Sequence, residues 1–302
     1  LHYVLDGVSV APGRHFWVLG GRLVWPKSGA ANWYHGRRPV KTFFAPKLDP
    51  LSDKELTINA PLVFNWLVDF LRQECIVGRN IPRAVLGLSG GVDSAVVAYL
   101  CAEAFGADNV TAVRMPYKAS SQESLEHAQL VVDDLGIRVR TLDITNMVDG
   151  YIGQHEPDMS PLRIGNVCAR CRMTVLYDVS AKDRSLPIGT SNKTERLFGY
   201  FTWHADDTPA VNPLGDLFKT QVWQIARHAG VPDVIVNKPP TADLVKGQTD
   251  EGDFGVSYAV ADRILVHLVK GMSEATLCDW GFDPGQVRLV AGRVAATHWK
   301  RH

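Results

Sequence analysis

The chain has 302 residues, enough for one large or two modest domains with a substantial core, and its 32 Lys+Arg balance its 32 Asp+Glu. That balance leaves no basic footprint for nucleic acid and no acidic tail, so any polyanion must be met by local groups. No run of about 18 apolar residues is present to span a membrane. The first twenty residues lack a basic start ahead of a long apolar stretch, so they do not read as a signal peptide. Five dispersed cysteines, Cys75, Cys101, Cys168, Cys171 and Cys278, suit a reducing, cytoplasmic setting and not a disulfide framework.

Residues 1–58 differ from the rest. The stretch "FWVLGGRLVWPKSGAANWYHGRRPVK" is rich in Trp, Gly, Pro and Arg and carries no catalytic signature. It predicts an N-terminal extension of strands and loops that packs on the main domain or a partner chain. From residue 59 to 302 the pattern becomes α/β. "INAPLVFNWLVDFLRQ" has Leu62, Phe64, Trp66, Leu67, Phe70 and Leu71 at helical spacing. "AVLGL" is a short continuous apolar run of the buried-strand type. A helix from about Asp93 to Phe105 follows, then a strand at "VTAVRM", a helix at "QESLEHAQLVVDDLG" and a strand at "IRVRTLDI". Further on come a helix around "NVCARCRMTVLYDVSAK", a strand at "LPIGT", helices at "LFKTQVWQIARHAG" and "SYAVADRILVHLV", and a last helix with a basic tip. Strands alternating with helices at this spacing predict an open, doubly wound parallel sheet flanked by helices.

The turn Ser89-Gly90-Gly91-Val92-Asp93-Ser94 lies at the carboxyl end of the first such strand and opens a helix, where ligands of open parallel sheets sit. Its glycines allow close backbone approach, and the helix start offers unpaired N–H groups to an anion. The two serines add hydroxyls. No Lys follows the glycines, and Asp93 would repel a bare phosphate. The carboxylate makes sense if it holds a hard cation such as Mg2+ that bridges phosphates.

The SGGxDS turn resembles the signature of the N-type ATP pyrophosphatases, whose adenine nucleotide alpha hydrolase-like fold grips the pyrophosphate end of ATP. "RMPYKASSQESLEHA", "GNVCARCRM", "IGTSNKTERLFGYFT", "NPLGDLFKTQVWQIARHAGVP" and "KPPTADLVKGQTDEGDFGVSYAVAD" resemble the NAD synthetase family over most of residues 60–300. The resemblance implies amidation of deamido-NAD+ by ammonia through an adenylated carboxylate, with ATP as co-substrate and release of AMP and pyrophosphate. It implies ATP contacts at Leu88, Ser89 to Ser94 (with Gly90, Gly91 and Val92), Arg114, Thr190, Lys219 and Thr241. It implies Mg2+ at Asp93 and Glu195, and deamido-NAD+ contacts at Arg170, at the Trp203 position, and at His298 and Lys300. Asp206 matches the aspartate near the ammonia site; Asp206 and Lys219 are the candidate catalytic groups. It also implies a homodimer.

The departures from the family pattern cluster on the dinucleotide side. Trp203 stands where the family carries a lysine, Ala210 where it carries a second aspartate, and Trp299 in its C-terminal His-Lys pair. Exchanging a lysine for an indole shifts a pocket from charge pairing toward stacking. These positions keep an alternative in play, a related adenylating amide ligase or sulfurtransferase with another substrate. Cys168 and Cys171, one helical turn apart, read as packing residues. The 60 residues ahead of the α/β pattern cannot hold a nitrilase-like glutaminase domain, so free ammonia, or ammonia delivered by a separate protein, is the expected nitrogen donor.

Overall fold

A computed structural model describes residues 17–19, 22–24, 49, 50, 52–241 and 249–301. The chain divides into two units, Leu1–Pro46 and Lys47–His302. In the first, β1 (Trp17–Leu19) and β2 (Arg22–Val24) pair antiparallel, with Trp17 opposite Val24. The remainder of the extension predicted before residue 49, and its part in any interface, lies outside the described residues.

The second unit runs α1 (Ala60–Leu71), β3 (Ala84–Gly87), α2 (Val92–Phe105), β4 (Val110–Arg114), α3 (Gln122–Leu135), β5 (Arg138–Thr141), α4 (Thr145–His155), α5 (Pro161–Asp183) and β6 (Leu186–Pro187). It continues through α6 (Lys193–Phe198), α7 (Lys219–Ala229), α8 (Asp233–Val236), α9 (Asp250–Phe254), α10 (Tyr258–Leu268), α11 (Glu274–Asp279) and α12 (Pro284–Ala296). The four strands β3 to β6 form one parallel sheet in the order β5-β4-β3-β6, with Ala84 opposite both Val110 and Leu186.

The central strands β3 and β4 are largely apolar on both faces because both faces are covered, whereas the edge strand β5 is largely polar and partly exposed. Successive side chains alternate across a sheet. Ala84 and Leu86 of β3 join Val110 and Ala112 of β4 in a core built with α1, α2, α3 and α7. Val85 and Val113 point the other way, onto Leu176 and Val179 of α5. The sheet is therefore doubly wound, as the alternation predicted. The strand read at "LPIGT" is shorter than expected. Only Leu186 and Pro187 pair with β3, and Ile188 then bridges in parallel to Val211 before the chain turns at Gly189.

A second core lies in the C-terminal half. Phe198, Phe218, Phe254, Tyr258, Ile264, Leu265, Leu277 and Val287 are buried together. Phe254 meets Phe198 and Tyr258 edge to face at centroid distances of 4.9 and 5.2 Å, the preferred aromatic geometry. Among the described residues no helix is long and apolar enough to cross a membrane. Cys168 packs on Ile144 and Val148, and burial raises its thiol above the usual range.

Leu86 is fully buried at the centre of the main core. Leu86→Ala should lower stability by about 2–5 kcal/mol in denaturant unfolding with an unchanged m-value. An unmoved midpoint would contradict the central place of β3.

Candidate active site

Strand order reverses between β3 and β6, because the chain winds outward from β3 through β4 to β5 and then returns to β3's other edge. A crevice forms at the carboxyl ends flanking such a reversal. The loops after β3 and β6 open into a cleft of about 970 Å3 whose lining includes Ser89, Asp93, Thr190, Glu195, Asp206, Lys219 and Thr241.

The loop after β3 is shaped from within. Gly90 has φ +82, and a Cβ there would collide with the backbone carbonyl of Ser124 at the start of α3. Only glycine fits both demands. Ser94 is buried: its Oγ accepts from Ser89 N at 3.2 Å and donates to Gly91 O at 3.0 Å. Ser94 therefore holds the turn, while Ser89 lies exposed at the cleft. The helix α2 starts at Gly91 without a side-chain cap. Its first-turn N–H groups have no partner within the helix, and the dipole's positive end suits an anion there.

The loop after β6 brings the opposing groups. Asn192 caps α6: its Oδ1 accepts from Glu195 N at 3.0 Å, and Glu195 Oε2 accepts from Asn192 N at 3.3 Å. This reciprocal box fixes Glu195. The same asparagine's Nδ2 donates to Asp93 Oδ1 at 2.9 Å, fastening the two loops across the switch point. Lys219, the first residue of α7, is only 3% exposed in its side chain. Its ammonium pairs with Asp93 Oδ2 and lies 3.8 Å from Glu195 Oε1. Burial opposes its charge, but Asp93, Glu195 and Asp250 outweigh that and raise its pKa.

Three carboxylates thus face one ammonium. Burial, and next the Asp93 charge, pushes Glu195 well above the usual carboxylate range. A surplus of hard oxygen donors beside an open anion cradle fits a divalent cation with part of its shell left to phosphate and water. The described residues hold no complete cluster of three or more metal-ligating side chains. Asp93 and Glu195 are the pair that would take Mg2+.

The other predicted residues are spread out. Leu88, Gly91, Val92, Arg114, Thr190, Thr241 and Lys300 line the cleft. The Arg114 guanidinium is turned to Thr141 Oγ1 and Gln129 Oε1 at 3.0 and 2.8 Å. Asp206 accepts from Thr202 N at 2.9 Å. Desolvation pushes its pKa up to about 6, against hydrogen bonds from its own and Thr202's backbone N–H. Lys300 donates to Gly199 O and Phe201 O at 2.6 Å each, so its ammonium braces the turn that leads to Asp206. Arg170, Trp203 and His298 do not line this cleft. The Arg170 guanidinium donates to Trp203 O at 3.2 Å. Trp203 stacks on His204 at 4.2 Å and meets Trp299 edge-on at 5.5 Å, so two departures from the family pattern are one contact.

Several site residues had escaped the sequence reading. Asn192 was legible in principle, since Asn-x-x-Glu in "SNKTE" is a capping box. Asp250 and Tyr258 left no such signal. Tyr258 donates to Asp250 Oδ2 at 2.9 Å, and its ring lies 5.2 Å from the Lys219 ammonium.

A family model described as NAD synthase matches residues 63–302. The NH(3)-dependent NAD(+) synthetase of Chlorobaculum parvum is 49% identical over 252 residues, covering 83% of this chain and 90% of its own length. The solved NH3-dependent NAD synthetase of Campylobacter jejuni, in complex with nitrate, superposes with TM-score 0.69 at 31% identity over 81% of this chain and 97% of its own. The NMN synthetase of Francisella tularensis superposes with TM-score 0.72 at 28% identity, covering 82% and 97%.

Gly90→Ala should destabilise the protein by about 1–3 kcal/mol through the forced backbone. Thermal unfolding reads this, with helix content by circular dichroism unchanged. An unaltered Tm would mean that the contact with Ser124 is absent.

Proposed function

The chain belongs to the NAD synthase family, and from that premise we propose that it amidates deamido-NAD+ with free ammonia at the expense of ATP. It is a ligase forming a carbon–nitrogen bond. The relatives named NH3-dependent, matched over nine-tenths of their length, support ammonia as donor. The observation that carries the site assignment is the Lys219 ammonium held between Asp93 of one loop and Glu195 of the other.

The acceptor carboxylate oxygen attacks the α-phosphorus of ATP, and pyrophosphate leaves. Ammonia then attacks the acyl carbon, and AMP leaves. Such phosphoryl chemistry needs positioning and charge stabilisation more than covalent help. The Ser89–Ser94 turn and the start of α2 cradle the departing pyrophosphate with backbone N–H groups. Asp93 and Glu195 would hold Mg2+, which would supply positive charge against the developing charge on the phosphates. Lys219, almost wholly removed from solvent beside Asp93 and Glu195, places a desolvated cation at the phosphate side of the cleft. Arg114, Thr190 and Thr241 complete the nucleotide side. Asp206 holds ammonium beside the reacting carbon and takes its proton, a task that needs the carboxylate form. Arg170, Trp203, His298 and Trp299 lie apart from this cleft and serve the far end of the dinucleotide, where the aromatic pair replaces charge pairing. A homodimer working in the reducing cytoplasm accords with the family and with the free cysteines.

Incubation with ATP, Mg2+, ammonium and deamido-NAD+ should yield AMP and NAD+ in equal amounts. AMP only with a different carboxylate, the nicotinate mononucleotide included, would reassign the acceptor. Asp93→Asn and Lys219→Ala should each lower turnover by about 10²-fold or more, and full activity in either would remove that residue from the site. Because the Asp206 pKa is raised to about 6, the carboxylate form is lost as pH falls through that value. The kcat of the wild type should show an acid limb near pH 6 that Asp206→Asn, slower throughout, lacks. A limb that persists in the variant would assign the titration elsewhere.

A further inference from the structure

Asp262 lies on α10, completely buried, and is not among the residues that line the cleft. Its carboxylate nonetheless accepts three hydrogen bonds that all converge on the start of α7. Thr220 N donates to Oδ2 at 2.9 Å and Thr220 Oγ1 to the same oxygen at 2.8 Å. Thr194 Oγ1, on α6, donates to Oδ1 at 2.6 Å. The Thr194 hydroxyl is fixed in that direction, because it accepts from Lys219 N at 3.0 Å. The two leading N–H groups of α7 are thus satisfied through one carboxylate from another helix. The residue at the α7 cap position is Phe218, whose side chain has no oxygen with which to cap these N–H groups.

We propose that Asp262 is a positioning residue, capping α7 from α10 and thereby setting where the Lys219 ammonium stands between Asp93 and Glu195. The geometry is specific. Thr194 immediately precedes Glu195, so the same carboxylate anchors the backbone of the anionic partner and that of the cation. Tyr258, one helical turn before Asp262 on α10, lays its ring beside the Lys219 ammonium. One face of α10 therefore holds both ends of the lysine, its backbone through Asp262 and its charge through Tyr258. A buried aspartate with three partners is also a closed hydrogen-bond unit: taking away the acceptor strands Thr220 N, Thr220 Oγ1 and Thr194 Oγ1 together.

The inference rests on the proposed use of Lys219, and its test separates the two. Mg·ATP affinity, read by calorimetry without any acceptor, does not depend on which carboxylate is amidated. Asp262→Asn keeps the shape and one acceptor; Thr220→Ala removes a single donor and leaves the core filled. Asp262→Asn should fold, weaken Mg·ATP about tenfold and lower kcat about 10²-fold, since displacement of a reacting group by about an ångström has effects of that size. The KM for ammonium should stay within about twofold, because Asp206 is untouched. Thr220→Ala should shift the same two quantities in the same direction by about threefold. A purely structural aspartate would lower Tm and leave both quantities, corrected for the folded fraction, unchanged. That result in Asp262→Asn overturns the proposal; should Asp262→Asn fail to fold, the same result in Thr220→Ala overturns it. A wild type that binds Mg·ATP but forms no NAD+ overturns the acceptor reading alone.

Discussion

A lysine ammonium almost wholly removed from solvent must be paired, and the pairing of Lys219 organises the active cleft. An isolated charge at that depth is costly enough that it would instead lose its proton. Here the surroundings overcompensate. Asp93, Glu195 and Asp250 all favour the charged form, which leaves the site with more carboxylate than cation. Such a site is stable with a lysine and unfinished without a further positive centre. That imbalance suits a site for nucleotide chemistry, where a divalent cation would be shared by the carboxylates and the phosphates.

The fold supplies the means. Winding outward from β3 and returning to its other edge places two loops face to face that are distant in sequence. Each loop is stiffened by its own device. The first is closed by Gly90 against Ser124 and by Ser94 turned inward. The second is closed by the capping box of Asn192 and Glu195. Asn192 then stitches one to the other through Asp93. The C-terminal aromatic core carries α10, whose Tyr258 reaches the lysine, while α7 itself packs in the core on the sheet, so both cores meet at Lys219.

The sequence disclosed the first loop almost in full. A strand, an SGGxDS turn and a helix form a local unit whose physics can be read from spacing. The parallel sheet was equally visible, because β3 and β4 are continuous apolar runs between periodic helices. The short helices α6, α8, α9 and α11 were not, since four to six residues carry no periodicity. Asp262 and Tyr258 were hidden for a different reason. Their partners lie on α6, α7 and α9, and no pattern along one helix states what it will be packed against. Lys300 was expected at the substrate and is found bracing two carbonyls; a charged residue named by motif keeps its position, while its neighbours decide its use. The meeting of Trp203 with Trp299 could be seen only in three dimensions, because nearly a hundred residues separate them.

The stitch between Asp93 and Asn192 spans 99 positions of chain, and the pairing of Asp93 with Lys219 spans 126. Neither contact can form while the strand on the far edge of β3 is still unplaced. The half of the sheet that comes first in the chain can therefore assemble a phosphate-shaped turn that has no cation-binding partner. A ligand that needs both loops can stabilise only the completed topology, by mass action on the folded state.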